Sequence, residues 1–289
     1  MSSRNIIIGA GISGLALGWF LKKRFGDNQE LTILEASERS GGWIRTHHEQ
    51  GFLFEEGPRS CRSKGAGLVT LQLIEELGLC EEVISASPQA KKRYICMDGK
   101  LQSLPNSLFS FLRSPLMKGV LPALLKEWKI PPSDLEDESI GSFITRRLGK
   151  KIADTFMDPL VSGIYAGDIH QLSMRACFPD LHRLEKEHGS LIKGMFRKRK
   201  AEDGQSPFVQ KQRLSSIFSF RNGMETLVSA LDARLKSHIQ LSCAVKTIHI
   251  GDKAILVTLE DGRVLEGDPS YRLFATGDPN RWCAHCWQL

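Results

Sequence analysis

The 289-residue sequence predicts an α/β fold: a Rossmann-like nucleotide-binding domain, an inserted helical domain and an antiparallel β-meander. Three observations predict it. A glycine-rich turn stands between an apolar strand and an apolar helix near the start. A helix-patterned middle is punctuated by prolines. From residue 241 the periodicity changes to short strands with an Asp-Gly turn among them.

The first unit lies in "NIIIGAGISGLALGWFLKKRFGDNQELTILEAS". Asn5 to Ile8 is a short apolar strand, and Gly9, Gly11 and Gly14 then form G-x-G-x-x-G. A helix follows, with Leu15, Trp19 and Leu21 among its buried candidates, and Leu31 to Leu34 is a second buried strand closed by Glu35. Gly9 permits a tight turn, Gly11 lets backbone approach a pyrophosphate, and Gly14 allows close helix–strand packing. The helix N-terminus offers free N–H groups to phosphate. Glu35 lies 21 residues beyond Gly14, near the spacing of an acid that binds ribose hydroxyls. With strands, helix and acid in place, the pattern predicts a dinucleotide site rather than a glycine turn without ligand.

The nucleotide unit alone leaves NAD and FAD open. "ERSGGWIRTHHEQGFLFEEGPRS" follows, with Gly41-Gly42 soon after the acid, where a cofactor can pass close to backbone. Arg45, an alternating strand around Phe52 to Phe54, and Gly57-Pro58-Arg59-Ser60 come next. A nicotinamide dehydrogenase more often continues with another helix–strand repeat.

Further on, residues 65 to 85 contain a helix ending at Gly78. Residues 94 to 104 form a hairpin turning at Asp98-Gly99. "PNSLFSFLRSPLMKGVLPALLKEWKIPP" suits either a membrane surface or apolar substrate pocket, or ordinary amphipathic helices on a core. "SIGSFITRRLGKKIADTFMDPL" is helical, with Ser139 or Ser142 as cap, and Arg197 to Lys200 is a basic run in a solvated loop. Val245 to Ile250, Ala254 to Leu259 and Arg263 to Glu266 form the meander, turning at Asp261-Gly262. Arg272 to Thr276 is a last buried strand. The domains expected are 1–65 with 215–289 for the nucleotide, and 66–214 for the helical insertion.

Composition narrows the classes. Hydrophobic residues make up 41% and charged ones 25%, as in a soluble globular chain able to bury a core. The net charge of +6 permits anionic substrates or an anionic membrane surface without requiring either, and no nucleic-acid motif accompanies it. The cysteines (Cys61, Cys80, Cys96, Cys177, Cys243, Cys283, Cys286) are odd in number and irregularly spaced, which argues for a reducing compartment and against a disulfide framework. Neither a secretory signal nor a bilayer-spanning run is read. No metalloprotease helix motif, P-loop or nucleophile elbow is present.

"ERSGGWIRT" with "FEEGPRS" resembles the protoporphyrinogen oxidases, a branch of the FAD-containing amine oxidases. "DPLVSGIYAGDIHQLSMRACFP" is similar to that family's central segment, and "FRNGMETLVSAL" to the stretch before a flavin-contacting strand. The resemblance runs from about residue 4 to about 275. It implies non-covalent FAD and oxidation of a porphyrinogen, protoporphyrinogen IX or coproporphyrinogen III, to a porphyrin in haem synthesis. Another flavin amine oxidase or desaturase reaction, or a non-catalytic fragment, is the alternative. Oxygen or another acceptor takes the electrons. A cytoplasmic protein in peripheral contact with the inner membrane, and a homodimer, are further implications. By resemblance Gly9, Ala10, Gly11, Ile12, Ser13 and Gly14 hold the pyrophosphate, and Glu35 the ribose with Ala36 beside it. Gly42, Trp43, Gly57, Pro58, Arg59 and Ser60 lie along the flavin, and Val245 meets the adenine through its backbone. Arg59 is the flavin-side cation, or else it pairs with Glu55 or Glu56. Arg93 faces substrate propionates, or is a surface charge. Gly163 and Gly167 are close-approach positions beside the substrate, or plain turns.

The last residues, "NRWCAHCWQL", show no periodicity, and the family's C-terminal portion has no match here. The expectation is that the end is not a natural domain end, so that the chain binds FAD weakly, aggregates readily and shows little turnover. Cys283-Ala284-His285-Cys286 is read as incidental, for want of further zinc ligands or a thioredoxin-like setting.

Overall fold

The computed structural model describes residues 3–26, 29–65, 67–87, 94–97, 99–104, 120–196, 205–252, 254–267 and 274–275. Two compact units emerge, 1–88 with 205–289 and 89–204. The tail from 276 onwards, with its two cysteines, lies outside the described residues.

In the first unit β1 (Ser3–Ile8) and β2 (Gln29–Leu34) pair in parallel around helix α1 (Ile12–Phe25). The crossover is parallel because both strands are apolar and the intervening helix must lie on the sheet face. Leu15, Ile7 and Ile33 are buried there with Leu227, Leu231 and Leu235 of the helix Glu225–Leu235. Burying each such side chain stabilises the fold by about 1.5–3 kcal/mol. Trp19 and Leu21 are half-buried against the same core.

The next strands are β3 (Thr46–Glu49) and β4 (Phe52–Glu55), an antiparallel hairpin, then β5 (Cys61–Arg62) and β6 (Val83–Ser85). Phe52, Leu53 and Phe54 are all exposed. Helix α2 (Gly67–Glu76) buries Leu71, Leu73 and Ile74 in the nucleotide-unit core. Helix α2 and the segment 205–214 therefore pack with the first unit, whereas the sequence places them in the insertion. Leu71, Ile74 and Val209 share one core with Phe218, Phe220 and Leu227, and that sharing has no local sequence signal.

Within the second unit, β7 (Tyr94–Met97) and β8 (Lys100–Ser103) form the expected hairpin. The rest is helical. Ile140–Leu148 is capped by Ser139, whose hydroxyl accepts from the Ser142 N–H at 3.2 Å. The sequence predicts one helix across this region, but Gly149 (φ +91°) ends it and Ala153–Met157 winds as a π turn before Asp158–Tyr165. Phe143, Ile144, Val161 and Met174 form a separate core. Beside it Arg147, fully buried, is bonded to Glu185 and Glu127, and to the Ile130 carbonyl at 2.8 Å.

Back in the first unit, β9 (Ile217–Phe220) lies between β5 and β6. β10 (Ile239–Gln240) extends the parallel sheet beside β2. β11 (Val245–Ile250), β12 (Ile255–Leu259) and β13 (Val264–Gly267) are the predicted antiparallel meander. β14 (Phe274–Ala275), within the strand expected at 272–276, completes the parallel sheet in the order β10-β2-β1-β14.

Candidate functional site

The site is built at the carboxyl ends of β1 and β2, where an open α/β sheet positions ligands. Gly9 leaves β1 at φ +95°, and its N–H still donates to Leu34 O at 2.7 Å. A Cβ on Gly14 would fall 2.0 Å from Gly9 O, so only glycine lets α1 begin against this turn. Gly11 is the N-cap. No side chain caps α1, and its first turn has no acid. The N–H groups of Ile12, Ser13 and Gly14 are first-turn donors with no carbonyl behind them in the helix.

Glu35 closes β2. Its Oε2 accepts the Ala10 N–H at 2.7 Å, and Oε1 accepts the Ser37 N–H at 3.0 Å. The Ser37 hydroxyl stands 2.9 Å from the same Oε1. The carboxylate is thus held beside the glycine turn, with Ala36 exposed next to it. Val245 packs in the small cluster of Ile8, Leu34 and Cys243, at the ends of the first two strands.

A second glycine turn meets the first. The Gly41 N–H donates to Ala10 O at 2.8 Å, and Gly11 and Gly41 form a parallel bridge. A Cβ on Gly42 would lie 3.2 Å from Gly11 Cα, and one on Gly11 would lie 4.0 Å from Gly42 Cα. Trp43, 88% exposed, comes next. A Cβ on Gly57 would fall 1.9 Å from Trp43 O, so the backbone that opens the turn of Gly57, Pro58, Arg59 and Ser60 passes directly against the Trp43 carbonyl. The structure therefore links Gly11, Gly42, Trp43 and Gly57 by successive close approaches of backbone.

Arg59 is exposed. The pairing with Glu55 or Glu56, the alternative read from sequence, is not formed. Glu55 accepts instead from the Thr46 hydroxyl at 2.8 Å and the Met224 N–H at 2.7 Å. Glu56 takes Arg45 and His47. The hydrogen bond from His47 holds its carboxyl below the ordinary glutamate value against the opposing effect of desolvation, with the charge of Arg45 adding a lesser push in the same direction as His47. Among the described residues Arg59 has no ion-pair partner; its carbonyl accepts from the Ser219 hydroxyl at 3.0 Å.

Gly163 and Gly167 belong to the second unit. Gly163 is exposed on the helix Asp158–Tyr165 with open space at its Cα, and a Cβ on Gly167 would meet Leu172 Cδ1 at 2.8 Å. Arg93 lies outside the described residues. Sequence reasoning missed Ser37, Arg39, Thr46 and Glu225, which bind other parts of the site. Arg39 takes carbonyls of the second glycine turn, and Glu225 accepts the Thr46 N–H at 2.9 Å. Thr46 and Glu225 carry no local mark, because they meet across 179 positions of the chain, whereas Ser37 and Arg39 bond residues within five positions of themselves. Among the described residues no group of His, Cys, Asp or Glu could hold a metal, and no helix is long and apolar enough to cross a membrane.

The donor set suits a nucleotide pyrophosphate. Two glycine turns leave backbone bare where a Cβ would crowd it, and an uncapped helix N-terminus and a fixed carboxylate flank them. Comparison with known proteins agrees with this arrangement. Protoporphyrinogen oxidase of Bos taurus is 38% identical over 243 residues, covering 80% of this chain and 50% of the relative. Coproporphyrinogen III oxidase of Bacillus subtilis (strain 168) is 31% identical over 280 residues, covering 91% of this chain and 58% of the relative. The chain spans about half the length of the curated relatives it matches. A solved protein of Exiguobacterium sp. 255-15, provisionally named a protoporphyrinogen oxidase, superposes with a TM-score of 0.67 at 29% identity, over 93% of this chain and 58% of that one. Putrescine oxidase bound to putrescine superposes with a TM-score of 0.62 at 16% identity, over 98% of this chain and 60% of its own; it shares the fold. The family model described as flavin containing amine oxidoreductase matches residues 12–269, most of the sequence, and the chain belongs to that family.

Proposed function

We propose that this chain binds FAD and serves the oxidation of a porphyrinogen to a porphyrin in haem biosynthesis, with protoporphyrinogen IX as the substrate and coproporphyrinogen III as the alternative. The observation that carries the cofactor assignment is the contact of the two glycine turns, Gly11 against Gly42, beside the uncapped N-terminus of α1. The substrate assignment rests on relatives named for both porphyrinogens.

The N–H groups of Ile12, Ser13 and Gly14 hold the pyrophosphate. Glu35 accepts from the ribose hydroxyls through lone pairs left over from Ala10 and Ser37. Val245 borders the adenine. Trp43 and the turn of Gly57 to Ser60 shield one side of the flavin from water. When bound, FAD supplies the capacity to accept electron pairs from the substrate. Arg59, with no ion-pair partner among the described residues, places positive charge where negative charge develops. Arg93 is assigned to a substrate propionate by its fork of donors, and Gly163 and Gly167 to close approach of the substrate. Oxygen or another acceptor, a peripheral membrane contact and a homodimer belong to the same reading.

The test has two stages. Titration of the purified protein with FAD, followed by flavin absorbance, is expected to give one cofactor per chain. Porphyrin fluorescence is then followed with each porphyrinogen. No flavin binding would sink the cofactor assignment. A flavin-loaded protein that oxidises an amine and neither porphyrinogen would sink the substrate assignment.

A further inference from the structure

We infer that Arg39 is the positioning residue of the second glycine turn: its guanidinium gathers the turn's carbonyl oxygens and so sets the turn's N–H groups toward the bound pyrophosphate. The inference rests on the FAD reading above and deepens it.

The geometry is specific. Arg39 Nη2 donates to Gly42 O at 2.8 Å, and Nη1 donates to Ser40 O at 3.1 Å and Ile44 O at 3.3 Å. Three carbonyls within five residues therefore converge on one planar, half-buried cation. A trans peptide points its C=O and the next N–H in opposite directions, so holding each oxygen also aims a donor. The Ser40–Gly41 peptide displays the result. Its oxygen faces Arg39, and its N–H reaches Ala10 O in the first glycine turn at 2.8 Å.

The Gly42–Trp43 peptide is held in the same way, its oxygen on Arg39. The N–H groups of Gly42 and Trp43 have no acceptor among the described residues, and Gly42 lies against Gly11. Both donors therefore stand free at the join between the two turns. Without Arg39 the positive φ of Gly41 (+107°) and Gly42 (+57°) leaves these peptides able to rotate, and carbonyl oxygens would then meet a phosphate.

Two further links make Arg39 central. The Ser37 hydroxyl stands 2.7 Å from Arg39 O and 2.9 Å from Glu35 Oε1, tying the turn to the ribose carboxylate. The Ser40 hydroxyl donates to Asp232 at 2.6 Å, anchoring the turn to the helix Glu225–Leu235. A lysine at 39 would keep the charge and lose the fork, because an ammonium cannot reach three divergent carbonyls in one plane.

The test uses Arg39→Met and Arg39→Lys in the full chain. Amide hydrogen exchange is measured without ligand, and affinity is measured for FAD and for AMP. Exchange in residues 40–46 is expected to quicken at least tenfold in both variants, with residues 3–34 and 225–235 unchanged. FAD affinity is expected to fall at least tenfold in both, and AMP affinity less than threefold, since AMP lacks the second phosphate. FAD binding within twofold of wild type in Arg39→Met would overturn the inference. So would full recovery in Arg39→Lys, which would assign the effect to charge alone. Equal weakening of FAD and AMP with exchange quickened throughout the unit would assign Arg39 a general structural role and overturn it as well. If wild-type protein takes up no FAD, the function proposed above fails, and the exchange arm still decides whether Arg39 sets the turn. Should Arg39→Met not fold, Arg39→Lys carries the same comparison.

Discussion

Gly14 and Glu35 carry the clearest predictions for single residues. A methyl group on Gly14 has no room, because its Cβ would sit 2.0 Å from a backbone oxygen that cannot swing aside. Gly14→Ala is expected to destabilise the protein by about 1–3 kcal/mol, the usual range for overpacking, and to weaken FAD at least tenfold. Thermal unfolding and flavin titration check both. Glu35→Gln keeps the shape and removes the charge that the Ala10 and Ser37 N–H groups face. A hydrogen bond to a charged acceptor is worth about 1.5–3 kcal/mol. FAD affinity is expected to fall about tenfold or more, with the fold retained by circular dichroism; unchanged affinity would remove Glu35 from the site.

At the scale of elements, the β3–β4 hairpin is held to the start of the helix Glu225–Leu235 by reciprocal bonds. The Thr46 N–H donates to Glu225, the Glu225 N–H donates to Thr46 Oγ1 at 3.2 Å, the Thr46 hydroxyl donates to Glu55, and the Met224 N–H also donates to Glu55. This cross-link fixes residues 46 and 55, which flank Trp43 and Gly57. Thr46→Val keeps the branched strand residue and strips the hydroxyl. It is expected to cost about 1–3 kcal/mol, because the Glu225 N–H and one Glu55 oxygen lose a partner. Hydrogen exchange in 45–57 and 223–227 should quicken while β1 and β2 keep their protection. Protection unchanged in both segments would mean that other contacts hold the hairpin.

For the molecule as a whole, each unit has its own stabilising core, and the second also depends on a buried ion-pair cluster. Arg147, Glu127 and Glu185 are all withdrawn from water, and Arg147 donates to carboxylates and carbonyls on separate segments. Removing one member leaves buried charge unpaired, at a cost of about 3–5 kcal/mol. Arg147→Met is therefore expected to lower protection across 120–196 and to leave 3–34 intact, as read by hydrogen exchange. Acid should act on the same unit. Burial alone would raise the Glu185 carboxyl, but the bonds from Arg146 and Arg147 outweigh it and hold the group below the ordinary glutamate value. A depressed folded value means that the contribution is present above the unfolded value and is lost as pH falls through the folded one. The second unit should accordingly lose protection on the acid side of the ordinary glutamate range. A loss that set in on raising the pH from neutral would contradict this assignment.

Much of the nucleotide unit was legible in the residues because its determinants are local. The strand–glycine–helix–strand–acid order of residues 5–35 and the alternation of the meander report their own backbone geometry. The Ser139 cap and the hairpin at 94–103 were readable for the same reason. The division into units was not, since the apolar face of α2 chooses its partner only when the chain closes. The π turn at Ala153–Met157 was not legible either: the helical pattern of the sequence runs through it unbroken. The sequence by itself determined the strands and helix of residues 5–35 and the strands of the meander, and it placed Gly14 and Glu35 at the ends of the elements that hold them. Only the tertiary structure decided that Gly11 meets Gly42, that Gly57 passes against the Trp43 carbonyl, and that Glu55 and Glu56 take partners other than Arg59. Those contacts join residues from separate turns and strands, and their geometry is set by how the chain folds back on itself rather than by any immediate neighbour.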